Sequence, residues 1–592
     1  MRAPLTRLLP TLCLGLLLAM PAAALELVSV RVEGLDDPAQ RSDVLAALSL
    51  EKLNPARRQG LSEARLSYLL RRAPREARQA LEPYGHYEAQ VQTEFERDGE
   101  RVSVRVRVVP GEPVRVRKRE ITISGPGESD EVLARRIERL RPREGQPFVH
   151  SVYEDGKASV DRLLAARGYF RARLGAHRVE VTRAERVADI ALAWDTGPRH
   201  SLGEARFEGH PFRDGLLDHL VPWTPGEPYD QAQLLKLQSS LAQLDYFAAI
   251  DIHPEPGEGE DLEVPVQVSL SPAKRSVWSA GVRFGTDSGL GLTGGLERRW
   301  VNDRGHKLDL LAGLAQRRND LAASYRIPAF RWVDGWYTAS ARLQQEEVDG
   351  INNELLEVTG SRSGSIGRWN LVAALNLRRE RFEDATTGFE YAYSTLVYPS
   401  LWAQWSEADD PLYPRSARGL TVELRAGSTA LGSDIDFVQL RAEGKWIRSF
   451  GRRNRLLLRA EAGTTVSDEF SSLPPSLRFY AGGDRSVRGY GYKEIGPSII
   501  GSNGRSYVFG GQHLAVASVE FERMFTRSWG IAFFVDAGDA FESRDSFDPQ
   551  VGAGLGLRWR SPVGPVRVDV AHGFGSDAAN SVQLHLNIGP DL

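Results

Sequence analysis

VQLRAEGKW, residues 438–446, alternates strictly between apolar and polar side chains. Successive residues of a β-strand face opposite sides of the sheet, so Arg441, Glu443 and Lys445 lie on one face and the apolar residues on the other. Charged side chains cannot face a packed apolar core at low cost, but they can face a polar lumen while the other face contacts lipid. The stretch therefore predicts one strand of a transmembrane β-barrel.

The same period of two recurs from about residue 276 to the end of the chain, for example in LTVELRA (420–426) and in VQLHLNI (582–588). A membrane-crossing strand with its share of turns and loops takes roughly 20 residues, so this region holds about 16 antiparallel strands. We assign residues 273–592 to the barrel.

The N-terminus and the composition set the compartment. The chain has 592 residues and a net charge of -3, which argues against a nucleic-acid binder. A basic start, a short apolar run and a small-residue site predict a signal peptide at residues 1–24. The one cysteine, Cys13, lies inside it. We therefore expect an exported protein without disulfides or thiolate metal sites.

Three repeats precede the barrel. Each opens with a short strand that ends in glycine, at Gly34, Gly125 and Gly209, and continues with helical spacing, an aromatic signature and two further strands. The order strand, helix, helix, strand, strand is similar to the POTRA domain, a small periplasmic module found beside outer-membrane barrels. The predicted units are residues 25–112, 113–199 and 200–272, and three unrelated α+β units are the alternative.

Motifs that suggest catalysis do not stand in the context that catalysis requires. Gly289, Gly291 and Gly294 spell GxGxxG, but they lead into an alternating barrel segment rather than a helix. GSRSG at 360–364 has Arg362 where a hydrolase nucleophile would stand. The histidines show no zinc-binding spacing. We expect no enzyme activity, no cofactor and no metal site.

FYAGGDRSVRGYGY, residues 479–492, interrupts the alternating pattern with glycines and arginines. Taken alone, the stretch is typical of an ordinary turn, but its resemblance to the lumen loop of outer-membrane assembly and secretion proteins implies a loop, around residues 473–512, folded into the barrel lumen. A guanidinium inside a partly closed lumen needs a carboxylate partner, and Asp536 on an inward strand position is the candidate for Arg488. Glycines let the loop backbone approach the wall.

POTRA-like repeats before such a barrel resemble the superfamily of outer-membrane assembly and secretion proteins. Its mark is a lumen loop carrying Val487, Arg488, Gly489 and Tyr490, which meets an F-x-D-x-G strand, present here as Phe534, Asp536 and Gly538. Three repeats and the C-terminal NIGPDL look most like the TamA family. Leu592 departs from the aromatic residue with which many barrel proteins end.

The resemblance implies an outer-membrane insertase of Gram-negative bacteria, with POTRA domains in the periplasm. It would insert and assemble β-barrel proteins and autotransporters without nucleotide hydrolysis, together with a TamB-like inner-membrane-anchored partner, and its clients would be unfolded outer-membrane proteins in contact with outer-membrane lipid. Alternatives are a BamA-like general insertase, a two-partner secretion pore and a component of phospholipid transport; a passive porin or a barrel enzyme lacks support.

The first and last barrel strands must meet at a seam, which we expect to be weak and to open sideways for a client strand. Gly281 inside the first strand weakens packing there. The residues assigned to the two seam strands are Val277, Trp278, Gly281, Val582, Leu584, Leu586 and Ile588.

Overall fold

A computed structural model describes residues 25–257, 261–285, 289–330, 335–348, 351–384, 390–410, 412–501, 504–561, 564–575 and 582–588. The predicted signal peptide therefore lies outside the described residues, as does Leu592. The chain divides into two compact units. The first is Met1–Glu204 with Trp223–Leu235 and Pro254–Val266; the second is Ala205–Pro222, Lys236–His253 and Gln267–Leu592.

The first repeat packs helices on a three-stranded sheet. In chain order its elements are β1 (Glu26–Glu33), α1 (Pro38–Ala47), α2 (Pro55–Gln59), α3 (Glu63–Leu81), β2 (Gln90–Asp98) and β3 (Arg101–Val109). β3 is central, parallel to β1 and antiparallel to β2. Helix α3 begins because Ser62 caps the backbone N–H of Arg65. Its buried stripe packs on the valines of β3, which gives this repeat its own core.

The second repeat has the predicted order of elements. It consists of β4 (Arg115–Ser124), α4 (Glu131–Glu138), α5 (His150–Ala166), β5 (Arg173–Thr182) and β6 (Val187–Asp195). Its sheet repeats the topology of the first, with β6 parallel to β4 and antiparallel to β5. Gly168 after α5 has φ +87°, the left-handed conformation that commonly ends a helix.

The third repeat departs from the predicted order. Its elements are β7 (Ser201–Glu208), α6 (Gln231–Gln243), β8 (Phe247–Pro254) and β9 (Glu263–Pro272), with sheet order β7-β9-β8. A 3-10 turn, Asp218–Leu220, stands where the first helix was expected. Pro211, Gly215 and Pro222 interrupt this segment, and each disfavours a continuous helix. Asp245, which follows α6, takes the left-handed conformation with φ 57°.

Sixteen of the remaining eighteen strands form one antiparallel sheet, which confirms the predicted strand number. The other two, β21 (Ser498–Ile500) and β22 (Ser506–Val508), form a hairpin in the loop between β20 (Asn454–Val466) and β23 (His513–Met524). In chain order the strands are β10 (Ser276–Gly285), β11 (Gly289–Arg298), β12 (Lys307–Ala315), β13 (Arg318–Pro328), β14 (Gly335–Val348), β15 (Ile351–Ile366), β16 (Trp369–Asp384), β17 (Glu390–Ala408), β18 (Ser416–Gly427), β19 (Phe437–Phe450), β20 (Asn454–Val466), β21 (Ser498–Ile500), β22 (Ser506–Val508), β23 (His513–Met524), β24 (Trp529–Phe541), β25 (Gln550–Ser561), β26 (Gly564–Gly573) and β27 (Val582–Ile588).

The two faces of this sheet differ as the alternation predicts. On β24, Ile531, Phe533 and Val535 are exposed on the outer face, whereas Phe534 and Asp536 are buried on the inner face. Trp529 and Trp559 stack at one edge of the outer apolar band, as interfacial aromatic residues do in membrane barrels. Within the described residues, no helix is both long and apolar enough to cross a membrane.

Candidate functional site

The loop between β20 and β23 contacts opposite walls of the barrel from inside. We call its residues 473–501 and 504–512 the lumen loop. On one wall, Arg378 of β16 donates a hydrogen bond of 2.6 Å to Ser476, and Lys493 lies 3.7 Å from Glu346 of β14. On the other wall, Arg488 reaches β23, β24 and β26. The loop therefore bridges the lumen between these two walls.

Arg488 and Asp536 come together at the centre of this contact. The guanidinium donates from Nε to Asp536 Oδ2 at 2.7 Å and from Nη2 to Oδ1 at 3.0 Å, which is a bidentate pair. The backbone N–H of Arg488 donates to the same carboxylate at 3.0 Å. Only 6 % of Arg488 and none of Asp536 is exposed. A buried pair with this geometry fixes both the loop backbone and its side chain.

Two further carboxylates complete the charge cluster around Arg488. Its Nη1 donates to Glu520 of β23 at 2.7 Å and to Asp569 of β26 at 2.9 Å. Arg558 of β25 also donates to both acids, so each acid is shared between two guanidiniums. Ion pairs taken out of water stabilise a structure only when the remaining lone pairs and protons are also bonded. Sharing the carboxylates meets that condition.

The loop backbone approaches the wall where the wall has no side chain. Ser518, Asp536 and Gly552 lie in one register row across β23, β24 and β25. A Cβ at Gly552 would lie 1.8 Å from the carbonyl oxygen of Arg488, so only glycine fits there. Gly489 has φ +99°, and a Cβ there would lie 2.7 Å from the backbone of β26.

The neighbours of Arg488 in the loop anchor it through apolar contacts and one hydroxyl. Val487 and Tyr490 are buried in a cluster with wall residues of β23 and β24. The Tyr490 hydroxyl donates to Gln550 at 3.3 Å and accepts from the backbone N–H of Gly575 at 2.8 Å. The centre of the Phe534 ring lies 3.4 Å from Cζ of Arg488, so the ring and the guanidinium form a cation–π contact.

The lumen loop also contacts the last strand. The backbone N–H of Gly489 donates to Nε2 of His585 on β27 at 3.1 Å, and Asn587 donates to Asp484 at 3.3 Å. β27 otherwise pairs with β26, while β10 pairs with β11. Among the described residues, no strand pairing joins β27 to β10. The loop therefore contacts one side of the seam directly.

Comparison with known proteins finds two matching family models. Residues 301–591 match the Omp85 superfamily domain, and we call this matched region the Omp85 domain. Residues 29–110 match the POTRA domain TamA domain 1, so the first repeat is similar to that domain.

Two relatives and a solved structure are similar to this chain. The outer membrane protein assembly factor BamA of Nitratidesulfovibrio vulgaris is 23 % identical over 458 residues, 75 % of this chain and 57 % of the relative. BamA of Neisseria meningitidis is 20 % identical over 83 % of this chain and 68 % of its own length. The crystal structure of BamA from Haemophilus ducreyi lacking POTRA domains 1–3 superposes with a TM-score of 0.65 at 17 % identity. The superposition covers 80 % of this chain and 99 % of that structure's chain.

The seam residues named from the sequence lie at the two ends of the Omp85 sheet. Trp278 of β10 and Val582 and Leu584 of β27 are exposed on the outer face. A Cβ at Gly281 would lie 3.0 Å from the Thr293 hydroxyl of β11. The remaining residues of the seam set lie in the same two strands, namely Val277, Leu586 and Ile588.

Gly538 of the F-x-D-x-G strand supports the wall rather than the loop. A Cβ there would lie 2.7 Å from the carbonyl oxygen of Ala515 on the adjacent β23. The missing side chain at Gly538 therefore allows β24 to lie close to β23, while Asp536 binds the loop.

Six residues of the loop site were not predicted from the sequence, namely Ser518, Glu520, Gly552, Arg558, Asp569 and His585. Each stands at an inward position of a strand in the last part of the barrel. A signal was present, because charged residues at inward positions of neighbouring strands are candidate partners for a buried arginine. Among the described residues, no cluster of three or more His, Cys, Asp or Glu could hold a metal ion.

Proposed function

We propose that this chain is an outer-membrane protein assembly factor of a Gram-negative bacterium, with its POTRA domains in the periplasm. The Omp85 domain and the curated relatives, both named outer membrane protein assembly factor, support the proposal. The observation that carries it is the seam, because no pairing joins β27 to β10 within the described residues.

An unpaired strand edge in lipid is costly, because its N–H and C=O groups have no water to bond. The same edge is a template on which another strand can add. β10 has 10 residues and the described β27 has 7, whereas β17 has 19. Short strands at the seam thin the adjacent bilayer, which lowers the barrier to insertion. An unfolded β-barrel client or autotransporter would add its strands at this seam and then separate.

The lumen loop holds β27, the last strand at the seam, in place. Arg488 fixes the loop to β23, β24 and β26, and Gly489 and Asp484 bond His585 and Asn587 of β27. Displacement of the loop would therefore free the inner side of β27. We infer that Arg488 and Asp536 set how readily the seam opens.

The first POTRA domain is the proposed dock for a TamB-like, inner-membrane-anchored partner. Its match to TamA domain 1 favours such a partner over the assembly of a general insertase. β2 is an edge of its sheet, and Phe95 on that strand is 52 % exposed. An exposed apolar side chain on a free strand edge suits β-augmentation by an extended partner.

A BamA-like general insertase is the second candidate, and the identity to two BamA proteins favours it. Cross-linking the tagged protein in envelopes, followed by mass spectrometry of its partners, separates the candidates. We expect a very large inner-membrane-anchored protein. Assembly lipoproteins would instead indicate a BamA-like role, a single secreted protein a secretion pore, and lipid-transfer proteins a part in phospholipid transport.

A cysteine tether tests lateral opening. Ala280→Cys on β10 and Leu584→Cys on β27, bridged by bis-maleimide linkers of increasing length, should abolish client insertion when the bridge is complete. The matched control is Ala280→Cys with Gly294→Cys, since these residues are already paired between β10 and β11. The control tether should leave insertion unchanged. Full insertion by a completely bridged seam pair would contradict the proposed mechanism.

A further inference from the structure

The outer face of the Omp85 domain has a groove near the rim formed by the C-terminal ends of β12, β14 and β16. Its volume is about 610 Å³, within the range of ligand pockets, about 300–1,000 Å³. The residues that define this outer groove are Leu314, Leu321, Leu343, Leu356, Arg379 and Arg381. Apolar and cationic side chains therefore share one concave surface on the side that faces lipid.

The register places the two arginines next to the apolar floor of the groove. Leu321, Leu343, Leu356 and Arg379 lie in one row across β13, β14, β15 and β16. The three leucines are exposed on the outer face, and Arg379 is exposed beside them. Arg381 is two residues further along β16, on the same face. The row therefore ends in a cation that points away from the lumen.

The height of Arg379 along the barrel corresponds to the boundary of the bilayer's hydrocarbon core. Trp369 begins β16 and lies opposite Trp405 of β17, as part of the aromatic residues at the other rim. The stretch from Trp369 to Arg379 rises about 25 Å if strands advance about 3.3 Å per residue and tilt by about 40°. That rise equals the apolar band of about 25 Å typical of membrane barrels. Both guanidiniums thus lie at the depth of lipid headgroups.

The ionic contacts of the two arginines at this rim differ. Arg381 is 3.3 Å from Glu354 and lies over the ring of Tyr391 at 3.6 Å. Among the described residues, none forms an ion pair with Arg379. Asp320 and Glu354 are the acids among the residues that line the groove. Asp320 stands at an inward position of β13, because its neighbour Leu321 is exposed on the outer face. An anion entering from the outer side would therefore meet two cations and the carboxylate of Glu354.

We propose that the outer groove binds an acylated lipid whose headgroup carries phosphate. The phosphate bonds Arg379 and Arg381, since guanidiniums bind phosphate oxygens in a bidentate manner. An acyl chain lies along Leu321, Leu343 and Leu356. This rim faces the outer leaflet in the orientation that rests on the proposed function, and the binding itself does not depend on insertase activity.

Native mass spectrometry of the full detergent-solubilised protein tests the site. The probe is a bisphosphorylated diglucosamine lipid with saturated chains, compared with the same lipid after removal of its phosphates. The wild-type protein should retain the phosphorylated probe, and Arg379→Gln with Arg381→Gln should weaken retention about tenfold or more, as loss of charge-assisted hydrogen bonds predicts. Arg379→Lys with Arg381→Lys should retain part of the binding.

Arg448→Gln is the matched control, because Arg448 is exposed on the outer face at the opposite rim of β19. It should leave retention unchanged. Equal retention by the glutamine pair and the wild type, or equal retention of the dephosphorylated probe, would overturn the proposal. Displacement by equimolar inorganic phosphate would overturn the assignment of a lipid. Heat-dependent mobility on gels verifies that each variant is folded.

Discussion

Replacing Arg488 by alanine should release the lumen loop from the wall. The substitution removes the bidentate pair with Asp536 and the hydrogen bonds to Glu520 and Asp569. Asp536 is fully buried and would keep only the Ser518 hydroxyl as a side-chain partner, at 2.6 Å. With the lumen loop in place, the Arg488→Ala variant would then contain a buried Asp536 carboxylate without the guanidinium that pairs with it.

The size of the effect follows from these contacts. Removing one partner of a buried ion pair costs about 3–5 kcal/mol. Glu520 and Asp569 keep Arg558, so the lower end of that range applies. A cost of about 3 kcal/mol raises the released fraction about 150-fold, since about 1.4 kcal/mol is a factor of ten.

Thiol labelling measures the released fraction. Val487 is fully buried next to Arg488, and Cys13, the one natural cysteine, lies in the segment predicted to be removed. A Val487→Cys reporter should react with a membrane-impermeant maleimide only when the loop is released. The labelling rate should therefore rise about 100-fold or more in the Arg488→Ala background.

Arg485→Ala is the matched control, because Arg485 belongs to the same loop and is exposed. Its labelling rate should stay within about threefold of the reporter alone. Arg488→Lys should give an intermediate rate, because an ammonium keeps the charge but not the bidentate geometry. A rate for Arg488→Ala equal to that of Arg485→Ala would refute the assignment of Arg488 as the residue that fixes the loop.

Two further predictions follow from the wall and from the second repeat. Gly552→Ala should raise the same labelling rate, because its Cβ would lie 1.8 Å from the Arg488 carbonyl oxygen, whereas Gly294→Ala, with no atom within 4 Å, should not; equal rates would show that the wall tolerates a side chain. Burial alone would raise the pKa of Asp130, but the hydrogen bond from Arg167 and those from backbone amides outweigh it, and the pKa is lowered. The stabilisation by Asp130 is therefore present above its unfolded pKa of about 3.9 and is lost as the pH falls through the folded value. Asp130→Asn should flatten this loss between about pH 5 and pH 3, measured as the midpoint of thermal unfolding by helical circular dichroism; an unchanged pH profile would contradict the role of Asp130.

Local patterns were sufficient for the elements and their faces. The period of two in segments such as 438–446 depends only on backbone geometry, so the strand and its inward charges were predictable. The stripe Leu234, Leu237, Leu241 and Leu244 of the third repeat is buried, as its spacing indicates. The 3-10 turn in that repeat was not foreseen, because proline and glycine outweighed the expected repeat.

The sequence by itself predicted three repeats and a 16-stranded sheet with one polar face, and the family resemblance carried by two motifs suggested the pairing of Arg488 with Asp536. Only the tertiary structure decided that Glu520, Asp569 and Arg558 share the charge of Arg488. Many inward positions carry charged residues, and the register between strands, which depends on contacts far apart in the chain, selects the ones that meet. The same holds for the seam, because whether the first and last strands pair depends on the whole sheet and on no single segment.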